Sequence, residues 1–130
     1  MGLKTKRYEQ QDETALFALM RSEDDWTDYS GSTEAVEKYK NALNNCIVYV
    51  GYDGDALCGF IRARDDFGYG IYIYDLLVHQ KYRGNSYGKR LIEQVCKDYP
   101  GTVYVMSDVD DYYAKQGYNK VEGRILIIRE

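Results

Sequence analysis

The chain has 130 residues, 45% of them hydrophobic and 29% charged, with a formal net charge of −4. That length reads as a single domain over residues 1–130 whose core needs neither disulfide nor metal, and the negative charge with scattered Lys and Arg argues against nucleic acid as the main partner, because phosphate backbones require a basic stripe. No stretch approaches the roughly twenty apolar residues of a membrane span, MGLKTKRYEQ lacks a hydrophobic signal region, and Lys6 stands where a myristoylation pattern needs Ser or Thr, so no membrane association and a cytoplasmic location are expected.

Leu3 to Tyr8 alternates weakly and reads as an opening edge strand. Asp12 is the candidate N-cap of a helix through Arg21, with Leu16, Leu19 and Met20 on one face and Phe17 beside them. Ser22 to Gly31, SEDDWTDYSG, is an acidic and aromatic loop. Ser32 or Thr33 caps a second helix, in which Val36, Tyr39 and Leu43 recur at helical spacing up to Asn44-Asn45. From Cys46 three strands follow: Cys46 to Tyr52, a hairpin signal at Asp53-Gly54, Ala56 to Arg64, a turn at Asp65 to Gly68, and Tyr69 to Val78. The third is apolar on both faces, as a central strand covered by helices should be. Its only charge is Asp75, and a carboxylate in a buried strand is costly unless a partner or a task keeps it there.

Tyr87, Leu91, Val95 and Tyr99 then recur every four residues, flanked by Ile92 and Cys96, in a helix ended by Pro100-Gly101. Thr102 to Met106 is a short buried strand, and a crossover through one helix predicts that it runs parallel to the strand before it. Ser107 or Asp108 caps a brief helix from Val109 to Gln116 with Gly117 as terminator. Tyr118 to Val121 and Arg124 to Arg129 read as a final hairpin around Glu122-Gly123. The three cysteines, Cys46, Cys58 and Cys96, have no Cys-x-x-Cys or Cys/His spacing, bind no metal on this reading, and are expected as reduced core residues. The order β-α-α-β-β-β-α-β-α-β-β makes an α/β domain with a mixed sheet flanked by helices.

Between the apolar strand and the amphipathic helix, Arg83, Gly84, Asn85, Ser86, Tyr87, Gly88 and Lys89 bring backbone N–H groups and two cations to a helix N-terminus. Such a site binds phosphate, and the carboxyl end of a buried strand is where open α/β sheets take ligands. It is not a P-loop: Gly84 and Gly88 are separated by three residues and Arg90 follows Lys89. The dinucleotide fingerprint GxGxxG is absent too. Lys89 and Arg90 could be helix surface, but cations at a helix N-terminus are unfavourable without an anion, which favours a ligand.

DLLVHQKYRGNSYGKRLIE, Asp75 to Glu93, resembles the acetyl-CoA motif of the GNAT family of N-acetyltransferases, a strand followed by Arg/Gln-x-x-Gly-x-Gly/Ala and a helix. Tyr112 to Tyr118, YYAKQGY, resembles the family's second signature, and the order of elements is similar to its fold over nearly the whole chain, so a mostly antiparallel mixed sheet is implied. Ser86 stands in place of the first motif glycine, and the Asn that often precedes the second signature is missing.

The resemblance implies acetyl-CoA as acyl donor and no metal. Backbone groups of Leu76, Leu77 and Val78 would pair with the pantetheine arm. N–H groups from Arg83 to Gly88 would hold the diphosphate, with charge from Arg83 and Lys89. Tyr113 matches the general acid for the departing thiolate, Tyr112 facing elsewhere. Asp75 is the candidate base, directly or through water, or else a structural hydrogen-bond acceptor. His79, the single histidine, reads as a solvated loop residue. Asp24, Trp26 and Tyr29, with Asp25 and Asp28, would suit a cationic acceptor, or form a solvated loop with one aromatic anchor. The expected function is acetyl transfer to a primary amine of a small molecule or peptide, by direct attack in a ternary complex. A non-catalytic acyl-CoA binding domain and a protein-interaction module are the alternatives, and a homodimer through the final strands is compatible with the family.

Overall fold

The hydrophobic residues of the central strands alternate between two separate interiors, and this alternation dictates a sheet with helices on both faces. The structure is a computed structural model and describes residues 2–106, 110–121, 123 and 125–129. Five strands lie in the order β1-β2-β3-β4-β5: β1 (Lys4–Arg7), β2 (Ile47–Asp53), β3 (Ala56–Asp65), β4 (Ile71–Val78) and β5 (Val103–Val105). The first four are antiparallel neighbours, and β5 pairs parallel to β4. On one face α1 (Glu13–Arg21), the single turn α2 (Thr27–Ser30) and α3 (Thr33–Asn45) cover Val48, Val50, Phe60 and Leu77. On the other, α4 (Tyr87–Asp98) covers Ile47, Tyr49, Ile61, Ala63, Ile71 and Ile73. Each fully buried Leu, Ile, Val or Phe in these layers contributes about 1.5–3 kcal/mol. A short α5 (Asp110–Ala114) follows β5.

Local chemistry accounts for most boundaries. Ser32 caps α3 by accepting from the Ala35 N–H at 3.1 Å. Gly54, at φ 62°, leads the two-residue turn between paired Asp53 and Ala56. Gly117, at φ 85°, lies just past α5 and takes the left-handed conformation expected of a terminator. Asp12 differs from its predicted role. Its side chain makes no cap bond to α1; it is buried and accepts instead from Lys6 Nζ at 2.6 Å, Tyr52 Oη at 2.6 Å and the Glu9 N–H at 2.8 Å. Burial pushes its carboxyl up, and the bonds from Lys6 and Tyr52 more than offset this, holding it below the ordinary value.

One irregularity sets the rest of the architecture. Arg62 pairs with Asp75 while Ala63 pairs with Ile73, so Tyr74 is an extra residue in β4. Before this bulge Ile71 and Ile73 face α4; after it Asp75 and Leu77 face α1 and α3. The pairing of β4 with β5 stops at Ile73.

Two expectations change, and one lies outside the described residues. The predicted final hairpin carries no strand among the described residues of 118–129, and Glu122 and Arg124 lie outside them. Val121 and Ile125 to Ile128 are exposed, and a three-residue β5 offers a short template for further pairing. The caps proposed at Ser107 or Asp108 also lie outside the described residues. Of the cysteines only Cys58 is fully buried; Cys46 is half-buried and Cys96 exposed on α4, because its helical position falls at the edge of the apolar stripe rather than within it.

Candidate active site

The end of β4 builds the site. Beyond Ile73 no strand pairs with the outer edge of β4 among the described residues, so its backbone groups there face open space. The His79 N–H donates to Cys58 O at 2.8 Å, which points His79 toward β3 and, by alternation, Leu77 as well. Leu76 and Val78 therefore present their backbone groups to the free edge. Arg83 Nε donating to Val78 O at 2.9 Å confirms that orientation. Of the three residues expected to pair with a pantetheine arm, geometry brings Leu76 and Val78 to the edge and turns Leu77 inward.

At the carboxyl end of that strand the chain makes a 3-10 turn, Gln80–Tyr82, and reverses through Gly84, at φ 87°, into α4. His79 is half-buried and its Nδ1 accepts from the Lys81 N–H, so it caps this turn. Ser86 is the N-cap residue of α4 at φ 63°, a left-handed conformation that costs an L-residue about 1–2 kcal/mol. The first motif glycine is thus replaced by serine at a position whose backbone still demands glycine geometry. Ser86→Gly is expected to raise stability by up to about 1 kcal/mol, the gain being reduced by glycine's larger chain entropy. Urea unfolding measures it, and an unchanged or lower midpoint would remove the strain assignment.

Ser86 makes no side-chain cap bond and the first turn of α4 holds no acidic residue, so neither its cap nor its first turn compensates the positive end of this twelve-residue helix. Asn85 Nδ2 is tied to Tyr82 O and the Tyr87 hydroxyl donates to Asp53 Oδ2 at 3.0 Å, which fixes the loop from both sides. Lys89 is half-buried in the first turn. Arg83 is held differently from what its charge suggested: its NH2 donates to Glu23 Oε1 at 2.6 Å.

A Cβ added at Gly88 would overlap the Tyr112 hydroxyl and lie 3.7 Å from Leu76 Cδ2. The Tyr112 phenol thus stands where the free edge of β4 meets the start of α4, although sequence reasoning turned it elsewhere. Its signal was Gly88, a motif position where an added Cβ would displace the Tyr112 hydroxyl. Tyr113 lies at 88° to Tyr112 with centroids 4.9 Å apart and, like Leu76, Val78 and Val105, packs against the core beneath α4.

Asp75 faces away from the free edge, into the layer under α3. It is buried, with Oδ2 accepting from Tyr39 Oη at 2.6 Å and from Arg62 Nε at 2.5 Å. Arg62 also lies 5.5 Å from the Tyr39 ring centroid and 5.6 Å from that of Tyr74, and its NH1 reaches Cys46 Sγ at 3.6 Å. Burial lowers the Arg62 pKa, but the Asp75 charge and hydrogen bond outweigh it and raise the value further. Burial and then the Asp75 charge raise Tyr39. A carboxylate already paired with a guanidinium and a phenol is poorly placed to take a proton, so the geometry favours the structural alternative over the base role for Asp75.

In Ser22 to Gly31, Asp24, Asp25 and Asp28 are exposed, whereas Trp26 and Tyr29 are half-buried. Trp26 packs edge-on to Phe60 at 5.8 Å and Tyr29 packs on Tyr39 at 4.9 Å. The loop therefore has two aromatic anchors rather than one. Among the described residues no group of three or more His, Cys, Asp or Glu could hold a metal, and no helix is long and apolar enough to cross a membrane.

The chain is 29% identical over 96 residues to an uncharacterized N-acetyltransferase, ycf52, of Pyropia yezoensis, covering 65% of this chain and 55% of that relative. It thus spans about half of that protein's length. A GNAT-family acetyltransferase, SP0256 from Streptococcus pneumoniae TIGR4, superposes with a TM-score of 0.72 at 22% identity, covering 99% of this chain and 100% of that one. An aminoglycoside acetyltransferase, HMB0005, from an uncultured soil metagenomic sample superposes with a TM-score of 0.75 at 18% identity over 100% of both chains. These two likenesses show the fold. The model of the acetyltransferase (GNAT) family matches residues 13–119, which take in α1, the free edge of β4, the Ser86 turn and both tyrosines, and the chain belongs to that family.

Proposed function

We propose that the protein is an N-acetyltransferase that moves the acetyl group of acetyl-CoA to a primary amine of a small molecule or peptide. The observation that carries this reading is the junction of the unpaired edge at Leu76 and Val78 with the N-terminus of α4, which has no side-chain cap bond. One half of that junction suits an extended amide-bearing arm and the other a diphosphate. Acetyl-CoA supplies an acyl group activated as a thioester. Leu76 and Val78 offer main-chain hydrogen bonds along the edge, N–H groups from Gly84 to Gly88 take the phosphates, and Lys89 adds charge. The amine nitrogen bonds to the acyl carbon as the carbon–sulfur bond breaks, the nitrogen releases its extra proton to water as the amide forms, and the Tyr113 phenol gives its proton to the departing thiolate and recovers one from solvent. An alkyl ammonium of pKa about 10.4 must first lose a proton, and with Asp75 engaged this proton passes to water. The names of the ycf52 relative and of HMB0005 support an amine acceptor.

Acetyl-CoA turnover over a panel of primary amines, followed by thiol release, tests the reading. Amine-dependent thiol release is expected. CoA binding with no release on any amine would support a non-catalytic acyl-CoA domain, a reading that the locked Asp75 favours, and absence of CoA binding would defeat both.

A further inference from the structure

Glu23 opens the acidic loop, yet it does not face solvent as Asp24 and Asp25 do. Its side chain is 13% exposed, and its two carboxylate oxygens are taken by the two residues that bracket the turn after β4. Oε1 accepts from Arg83 NH2 at 2.6 Å and Oε2 from Gln80 Nε2 at 2.9 Å, across 60 and 57 residues of sequence. Arg83 Nε in turn closes on Val78 O. Burial raises the Glu23 carboxyl, and the bonds from Arg83 and Gln80 more than reverse that, so it is held below the ordinary 4.5. The pair is therefore fully formed above that ordinary value and is lost only as pH falls through the lowered one.

Two consequences follow from this geometry. Arg83 has Nε and NH2 committed to protein oxygens and its charge opposed by Glu23, so its first task is not to neutralise phosphate. The Ser22 to Gly31 segment is gripped at one end by Glu23 on the phosphate loop and in its middle by Trp26 on Phe60. We infer that Glu23 is a positioning residue, a strut that couples occupancy of the Arg83 to Gly88 loop by CoA to the conformation of the Ser22 to Gly31 segment. The inference rests on the proposed CoA site. It makes the occupancy of one loop and the conformation of the other parts of a single equilibrium.

Trp26 is the sole tryptophan of the chain and sits three residues after Glu23, so its emission reports the segment without a label. CoA titrated into the wild type, Glu23→Gln and Arg83→Gln, with heat and emission recorded in parallel, separates the outcomes. The wild type should show an emission change that saturates with the heat. Both variants should still bind, about three- to tenfold more weakly, with the emission change cut by roughly half or more. The double variant should bind no worse than the weaker single one, because each single change already removes the shared bond. Heat in the wild type without an emission change, or a full emission change in Glu23→Gln, would overturn the strut alone. No heat in the wild type would overturn the CoA site and the strut with it. Arg83→Gln alters the exposed partner, so its response does not depend on refilling the site of the less exposed Glu23.

Discussion

Tyr113→Phe is expected to lower kcat by about 10² to 10⁴ with little change in the KM for acetyl-CoA, whereas Tyr112→Phe is expected to raise that KM by about tenfold and leave kcat nearly intact. The split follows from where the two phenols lie. Tyr112 projects its hydroxyl over Gly88, at the N-terminal end of α4, where a donor helps to hold the bound state and does nothing for bond breaking. Tyr113 has its ring at 88° to that of Tyr112 and packs, as the edge residues Leu76 and Val78 do, against the core beneath α4. The proposed acid acts only as the thiolate forms, so its loss appears in kcat. Both variants keep the ring, and the melting temperature should hold, which separates chemistry from packing. Equal effects of the two on kcat, or an effect of Tyr113→Phe on KM alone, would reject the assignment.

Arg62→Met is expected to cost about 3–5 kcal/mol of stability, more than Asp75→Asn, which should cost about 1–3 kcal/mol. The asymmetry is one of charge. Removing the guanidinium leaves Asp75, 6% exposed, with only the Tyr39 hydroxyl to offset its burial. Removing the carboxylate's charge leaves a cation that still lies near the Tyr39 and Tyr74 rings. Replacing both partners with apolar residues should recover most of the loss, because the desolvation cost goes with the charges. Urea midpoints measure all three. The same variants separate the two roles open to Asp75: Asp75→Asn should keep kcat within about tenfold, and a fall of 10² or more in folded protein would restore it as the base. A loss below about 1 kcal/mol for Arg62→Met would show that the pair is not the buried lock described above.

Those two predictions differ in how far the sequence could have led to them. Tyr113 was found from a motif, and motifs are local: the strand, the phosphate loop and the helix that closes it all announce themselves within twenty residues. The same holds for the Ser32 cap, the Gly54 turn and the Gly117 terminator, each of which is a short-range steric or hydrogen-bonding rule acting on its own neighbours. The partners of Asp75 could not be read that way. Tyr39 lies 36 residues before it and Arg62 13, and only folding of α3 over β3 and β4 brings them together. Glu23 was one acid among several in a loop that composition made look uniformly solvated, and Arg83 looked like a phosphate ligand because its partner lies 60 residues away. Asp12 was likewise assigned the nearest plausible task, a helix cap, when a lysine and a tyrosine from two strands had a stronger claim on it. The predicted final hairpin lies partly outside the described residues and shows no strand among those described: alternation gives strand propensity, and pairing needs a partner edge besides.

The extra residue at Tyr74 also bears on how this chain can change without losing its fold. Buried positions in β4 fall at every second residue straight through the bulge, so a reader of burial alone would see one uninterrupted strand. Remove Tyr74 alone and the pairs Ala63–Ile73 and Arg62–Asp75 become consecutive, so both faces of β4 stay as they are. Flatten the bulge without removing a residue and Asp75 would turn beneath α4 among aliphatic side chains, leaving Arg62 and Tyr39 behind. The side chain at position 74 is 42% exposed. Loss of that residue is therefore a change that the pairing of Arg62 with Asp75 absorbs, whereas the same strand ironed straight at full length would lose its buried pair.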